Sequence, residues 1–360
     1  MRQRTIEIPR LMHVGPDCLD DLAALLADFD TNRVCVGSGD GPSLAFAERV
    51  VAGMEAASVA VTHRPGLAGR LDQAAELAAR VIKDDVTLLV AVGGGRVIDT
   101  VKLAAARTGT DFVSAPTTIS HDGISSPVSS LVPKDGRRRS YAATMPAAIV
   151  VDLTVISSAP ARTLRAGAGD LISNLTALLD WQLADRRGEG TYDAFAAMIA
   201  ESAARPLLRM EELSDPASHE LLAKGLLLSG LAMAAAGTSR PCSGAEHLIS
   251  HSLDALLGAE SAMHGEQVAL GALFSAAAHG SELLGSLGRL YERVGLPRSP
   301  AELGIAREDL IEAIRAAPAT RPDRYTILTE LLAEDGGRIP ELASRAFAPD
   351  AADPCPRPAA

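Results

Sequence analysis

Three short segments in the second half of the chain gather residue types that hold metal ions. They are Gly167-Ala168-Gly169-Asp170, Glu246-His247 with His251, and Met263-His264-Gly265-Glu266. One carboxylate and two imidazoles form a suitable donor set for Zn2+ or a similar divalent ion, and they leave coordination positions free for substrate oxygens. Such an ion polarises a carbonyl or steadies an alkoxide, which brings hydride transfer within reach near neutral pH. Each residue also has a plainer reading. Asp170 would serve equally well as the N-cap of a helix beginning at Leu171. His247 and His251 lie four apart and so share a helix face, where both could bind metal or could be hydrogen-bonded core residues. Glu246 and Glu266 read as solvated or helix-end charges. His13, His63, His219 and His279 have no comparable company and are assigned no chemistry.

A second kind of chemistry is written in glycine. Leu88-Leu89-Val90-Ala91-Val92 runs straight into Gly93-Gly94-Gly95, followed by the helical pattern from Arg96 and Val97 through Ile98 to Lys102. Glycines at a strand-to-helix junction let the backbone approach a phosphate, while the helix N-terminus presents unpaired N–H groups and a partial positive charge. A dinucleotide pyrophosphate fits there, although tight turns also use glycine for steric reasons alone. Gly37-Ser38-Gly39-Asp40-Gly41 is a further cofactor candidate, near the adenosine end. No acidic residue closes the strand at Val36, so no preference for NAD over NADP is expected, and Asp40 reads as a turn residue. The polar run Thr117-Thr118-Ile119-Ser120-His121-Asp122-Gly123-Ile124-Ser125-Ser126-Pro127 follows another strand. Its hydroxyls could hold a nicotinamide carboxamide or ribose. Asp122 could accept a substrate hydroxyl or simply form a turn with Gly123.

These residues need elements to position them. From about residue 33 to 152, β-branched runs (RVCVG, SVAVT, VTLLVAVG, FVSAP and AIVVDL) alternate with helical stretches at Ser43 to Met54, Ala68 to Lys83 and Val97 to Arg107. That alternation predicts a parallel sheet in a doubly wound, Rossmann-like α/β domain. After Val155 the strand signals stop, and Ser157-Ser158-Ala159-Pro160 reads as a helix start. Helices are expected at Leu171 to Arg186, Tyr192 to Glu212, His219 to Ala235, Gly244 to Leu257 and Gly265 to Leu284. The fold expected is therefore an N-terminal α/β domain (residues 1–157), an all-α metal- and substrate-binding domain (158–347) and a loose tail (348–360). A cleft between the halves is the default site.

Composition narrows the partners. A net charge of −11 disfavours nucleic acid and anionic membranes. Aromatic residues make up only 3% of the chain, which disfavours a base-stacking platform. The cysteines Cys18, Cys35, Cys242 and Cys355 are scattered without CxxC spacing, as suits a reducing compartment. The N-terminus lacks the continuous apolar stretch of a signal peptide, so a cytoplasmic protein is expected. The apolar run Leu226 to Gly237 is too short for a membrane span and predicts a buried helix.

With these segments in view, the chain resembles the glycerol-1-phosphate dehydrogenases, a branch of the iron-containing alcohol dehydrogenase and dehydroquinate synthase superfamily. The matching stretches are GGGRVIDTVKLAA, APTTISHDGISSPVS, RAGAGDLISNLTALLDW, SRPCSGAEHLISHSLD and MHGEQVALG, in the family's order, over roughly residues 90 to 272. The resemblance implies a dehydroquinate synthase-like two-domain architecture. It implies Asp170, His247 and His264 as metal ligands, with Asp170 also near the substrate, and His251 as a substrate contact rather than a fourth ligand. Asp122 is implied to bind substrate. Gly94, Gly95, Arg96, Val97 and Ile98, with Gly93 before them, and Thr117, Thr118, Ile119, Ser120 and Ser126 are implied to line NAD(H) or NADP(H).

The implied reaction is reduction of dihydroxyacetone phosphate to sn-glycerol 1-phosphate. The metal polarises the ketone, hydride arrives from the nicotinamide, and a proton comes from His251 or a water. Zinc is the expected ion, with nickel or iron as alternatives, and a homo-oligomer is expected. Arg240, in Ser239-Arg240-Pro241, is the candidate for gripping the phosphate or else for capping a helix. Cys242 stands where the family commonly has alanine, and Leu248 and Ile249 vary beside the first histidine. Those departures leave open a reductase of another phosphorylated or phosphonate-bearing aldehyde or ketone. A dehydroquinate-synthase-like cyclase would carry glutamate at the first ligand position, where this chain has Asp170. A catalytically silent nucleotide-binding or assembly protein would have no need of all three ligands together with His251.

Overall fold

A computed structural model describes residues 6–347, so the expected tail at 348–360 and Cys355 lie outside the described residues. The first half is built from β1 (Leu11–Gly15), α1 (Leu22–Leu25), β2 (Val34–Ser38), α2 (Ser43–Ala56), β3 (Val61–Arg64), α3 (Leu71–Lys83), β4 (Leu88–Gly93), α4 (Gly95–Thr108) and β5 (Asp111–Pro116). A hairpin of β6 (Val128–Leu131) and β7 (Arg139–Ala142) precedes β8 (Ala148–Asp152). Six strands form one parallel sheet in the order β1-β8-β5-β4-β2-β3.

Strand β4 shows why this sheet is covered on both faces. Its residues alternate between two cores: Leu89 and Ala91 enter one, while Leu88, Val90 and Val92 enter the other. An unbroken apolar run is what a strand needs when helices lie on either side. The chain leaves β2 outward to β3 and then returns to β2's other side as β4, which makes the β2/β4 boundary a switch point. Pairing of Gly37 with Ala91 and of Ser38 with Val92 sets both glycine turns side by side at the strands' carboxyl ends.

The second half, after the short α5 (Leu153–Ser158), is helical throughout the described residues. It comprises α6 (Ala161–Ile172), α7 (Asn174–Arg186), α8 (Ala194–Ala204), α9 (Pro216–Ala236), α10 (Ala245–Leu257), α11 (His264–Ala278), α12 (Leu283–Val294), α13 (Arg307–Ala316), α14 (Ile327–Ala333) and α15 (Ile339–Ala346). The expected buried helix over Leu226 to Gly237 is the second half of α9, and no helix among the described residues is long and apolar enough to cross a membrane.

Three helices approach one another through glycine. A Cβ on Gly265 of α11 would fall 1.9 Å from the Ala166 carbonyl oxygen of α6. One on Gly169 of α6 would fall 2.3 Å from the Gly265 oxygen, and one on Gly271 of α11 would fall 2.7 Å from Cα of Glu246 on α10. These backbone-to-backbone crossings set how near α6, α10 and α11 can bring their side chains.

The structure departs from the sequence reading in several elements. Strand β1 is a half-buried edge strand with no alternating apolar signal. The β6–β7 hairpin lies beyond the end of the expected polar loop, where Arg139–Ala142 is mostly polar and exposed. The helix expected from Leu171 instead begins at Ala161 and breaks at Ser173, the helix expected to reach Glu212 stops at Ala204, and the one expected to reach Leu284 divides into α11 and α12.

Candidate metal centre and active site

Asp170 sits in the last turn of α6, so it is not the N-cap that its sequence neighbours allow. It is 2% exposed, and its two oxygens are treated very differently. Oδ2 accepts the Asp122 main-chain N–H at 2.8 Å, whereas Oδ1 is buried without a hydrogen-bond partner. That orphaned atom lies 3.6 Å from Nε2 of His247 and 3.6 Å from Nε2 of His264. The three donor atoms lie within 4.8 Å of one another. Donors about 2.1 Å from a tetrahedral ion would sit ~3.4 Å apart, so this spacing fits a divalent cation.

The far nitrogens are held from behind. His247 donates from Nδ1 to Oε1 of Glu246 at 3.1 Å, and Glu246 also accepts from Gly244 N–H and from Thr176 Oγ1. His264 donates from Nδ1 to Oγ of Ser250 at 2.9 Å, and that hydroxyl passes its own proton to Gln267 Oε1 at 2.8 Å. Both chains leave an Nε2 lone pair facing Asp170, the arrangement that orients metal-binding imidazoles. Glu246 is therefore no solvated charge: it is fully buried. Glu266 does occupy the first turn of α11, yet it is 5% exposed and paired with Arg162 at 2.6 Å. Ser250 and Gln267 escaped the sequence reading, although each lies three residues after a ligand and so on the ligand's own helix face.

Electrostatics separate two neighbouring carboxyls. Burial opposes charge on Asp170, but the nearby imidazoles of His247 and then His264 hold it below the usual carboxylate range. Burial and then repulsion from Asp170 push Asp122 the other way, above its ordinary value. Asp122 begins a single 3-10 turn, and its carbonyl accepts N–H bonds from Ser125 and Ser126 at 2.9 and 3.0 Å. The turn reading of Asp122 holds through its main chain, which leaves its carboxyl outside the turn's hydrogen bonds. Burial lowers His247, but the neighbouring Asp170 and Glu246 carboxylates raise it, while burial drives His264 well down. His251 is stacked on His264 with ring centres 5.8 Å apart and does not join the converging trio. Burial, His247, Arg321, Arg138 and Arg324 together depress it to about 3.

At the sheet end, Gly94 caps α4 in an extended conformation, and Thr117 N–H bonds the Gly93 carbonyl at 3.1 Å. A Cβ on Gly94 would lie 2.9 Å from Thr118 Oγ1, and one on Gly95 would lie 2.1 Å from Nε2 of His121. Arg96 is exposed and covers Gly69, whereas Val97 and Ile98 are core residues beneath the turn. Ile119 is also fully buried in the core, with its carbonyl against Gly167, so only its main chain is available to a ligand. Ser120 is half-buried and Ser126 buried. Lys102 locks this loop to α4: its fully buried ammonium bonds Asp99 at 3.3 Å and the carbonyls of Gly123 and Val128 at 2.6 and 2.8 Å.

Arg240 corrects an expectation. Its guanidinium donates to the main-chain carbonyls of Tyr325, Asp323 and Glu189 at 3.3, 3.4 and 3.5 Å. It clamps a loop, and it neither caps a helix nor keeps its fork free for a phosphate. His219 and His279, assigned no chemistry, are satisfied by Ser157 and the Leu213 carbonyl and by Asp180 respectively.

Residues 13–160 match the family model of iron-containing alcohol dehydrogenase. The chain is 37% identical over 336 residues to a glycerol-1-phosphate dehydrogenase [NAD(P)+] of Cenarchaeum symbiosum, covering 92% of this chain and 93% of that one. It is 46% identical over 252 residues to a protein of the same name from Thermococcus kodakarensis, covering 69% and 71%. In three dimensions it is similar to a probable glycerol dehydrogenase of Sinorhizobium meliloti, with TM-score 0.78, 26% identity, and coverage of 96% and 100%.

Proposed function

The chain belongs to the glycerol-1-phosphate dehydrogenases of the iron-containing alcohol dehydrogenase family, and on that footing we propose that it reduces dihydroxyacetone phosphate to sn-glycerol 1-phosphate with NADH or NADPH. The observation that carries this reading is the buried, partnerless Oδ1 of Asp170, facing two imidazole nitrogens whose far sides are already engaged. A fixed carboxylate oxygen without a hydrogen bond costs roughly 1–3 kcal/mol or more unless a cation occupies the space before it.

Asp170, His247 and His264 would hold zinc or a related divalent ion. When bound, that ion supplies a Lewis acid for the ketone oxygen, and the dihydronicotinamide supplies hydride. The chain's own residues do the rest. Asp122 N–H fixes Asp170, and Glu246 and Ser250 keep both imidazoles in the tautomer with a free Nε2. His251, beside the trio, is the group to relay a proton from water to the substrate oxygen, and the carboxyl of Asp122 is a second polar contact for the substrate. N–H groups of Gly95 and Arg96 at the start of α4 would receive the cofactor pyrophosphate, with Thr117 and Thr118 against the same glycine turn. The division into residues 1–157 and 158–347 belongs to the same proposal. A spectrophotometric assay with added Zn2+, each reduced cofactor and a panel of carbonyl compounds tests it. Oxidation fastest with dihydroxyacetone phosphate is expected; no oxidation of either cofactor with that substrate would refute it.

A further inference from the structure

Near His251 lies a group of three arginines that make no ion pair among the described residues, although the field of the exposed Asp323 reaches all three and that of Glu246 reaches Arg324. Arg240, Arg321 and Arg324 converge on the connections before α10 and before α14, and among the described residues every hydrogen bond they make goes to a neutral oxygen. Arg321 donates to Ser239 Oγ at 2.9 Å, and Arg324 donates to the same hydroxyl at 3.0 Å and to the Ser243 carbonyl. Arg240 uses its fork on the three carbonyls named above. A guanidinium carries five N–H donors, so Arg321 and Arg324 keep most of theirs free. Both are half-buried, where like charges repel through less water than at an open surface. Burial, then Arg321 and Arg240, push Arg324 down to about 9.

Location gives the cluster its meaning. Ser239 and Ser243 lie just before α10, the helix that carries His247 and His251, so its positive N-terminal end adds to the guanidinium charge. The fields of Arg321 and Arg324 reach His251. One buried carboxylate fixes the assembly: Asp180 accepts from Ala245 N–H at the start of α10 and from Ile327 N–H at the end of the arginine-bearing loop, at 2.6 and 2.7 Å.

We propose that Arg321 and Arg324 bind the phosphate of the substrate, with Ser239 between them and Arg240 positioning their loop. Resting on the dehydrogenase reading above, this assigns the two ends of a phosphorylated ketone: carbonyl at Asp170, His247 and His264, and phosphate dianion at two forked guanidinia, whose planar donors match its oxygens.

The test uses full-length, zinc-loaded protein with Arg321→Gln and, in case a truncation misfolds, the charge-keeping Arg321→Lys and Arg324→Lys. Steady-state kinetics with dihydroxyacetone phosphate are run beside calorimetric titration with inorganic phosphate, and thermal melts report folding. For Arg321→Gln, KM is expected to rise about 30- to 100-fold with kcat changed far less, and phosphate binding is expected to weaken in parallel, as charge-assisted bonds are lost. The lysine variants, with charge but no fork, should fall between. Folded variants with wild-type KM and wild-type phosphate affinity would overturn the assignment while leaving the reductase reading intact. If the wild type oxidises neither cofactor, the reductase reading fails, and calorimetry alone decides: phosphate binding lost in the variants upholds the cluster, and equal binding overturns it.

Discussion

The turn between β4 and α4 is shaped by main chain and by missing side chains, whereas the trio on α6, α10 and α11 is shaped by side chains braced from behind. Gly93, Gly94 and Gly95 work by what they lack, since a Cβ on any of them would strike Val97, Thr118 or His121. Asp170, His247 and His264 work by what supports them: a backbone N–H, Glu246, and the Ser250–Gln267 relay. The first region is local in sequence and tolerates little bulk. The second joins residues up to 94 apart, 264 less 170, and tolerates little change of hydrogen bonding.

Four substitutions and one control press on that contrast. Asp170→Ala should lower kcat/KM for carbonyl reduction at least about a thousandfold, and elemental analysis should find no bound divalent ion. A variant retaining a tenth of the activity would break the link between trio and chemistry. Gly265→Ala puts a Cβ 1.9 Å from a backbone oxygen that cannot swing aside, so denaturant melts should show a loss of about 3 kcal/mol or more. Gly41→Ala, with nothing within 4 Å of its Cβ, is the contrasting control and should melt like the wild type. Glu246→Gln keeps the shape but removes the charge behind His247; competitive chelator titration should show metal affinity reduced about 10- to 100-fold. Unchanged affinity would mean that the brace does not matter. Gly95→Ala should raise KM for the reduced cofactor about tenfold through the clash with His121 while leaving metal content as it was. Loss of metal in that variant would blur the two regions into one.

The same contrast explains what could be read without coordinates. The sheet was legible at β2, β4, β5 and β8 because buried parallel strands are short, nearly continuous apolar runs, closed here by Gly37-Ser38, Gly93, Pro116 and Asp152. Strand β1 and the β6–β7 hairpin were not, since His13 interrupts the short apolar run of the edge strand β1 and β7 is mostly polar and exposed. Residue types singled out the trio, but chemistry alone could not separate His251 from it; in three dimensions His251 stacks on His264 and its nitrogens fall outside the converging donor set. Asp170's place in α6 was hidden because Gly167 and Gly169 weaken a helical signal, yet both glycines are required by close packing against Ile119 and Gly265. Arg321 and Arg324 were invisible as a pair, for nothing in the sequence announces that they share a hydroxyl with a residue more than 80 positions earlier.

The central claim is that Asp170, His247 and His264 hold the ion on which carbonyl reduction depends. Chelator-stripped protein should be titrated with Zn2+ while bound metal and NADH oxidation with dihydroxyacetone phosphate are followed on the same samples. Activity rising in proportion to one ion per chain and then saturating is the predicted result. Full activity in metal-free protein would contradict the account.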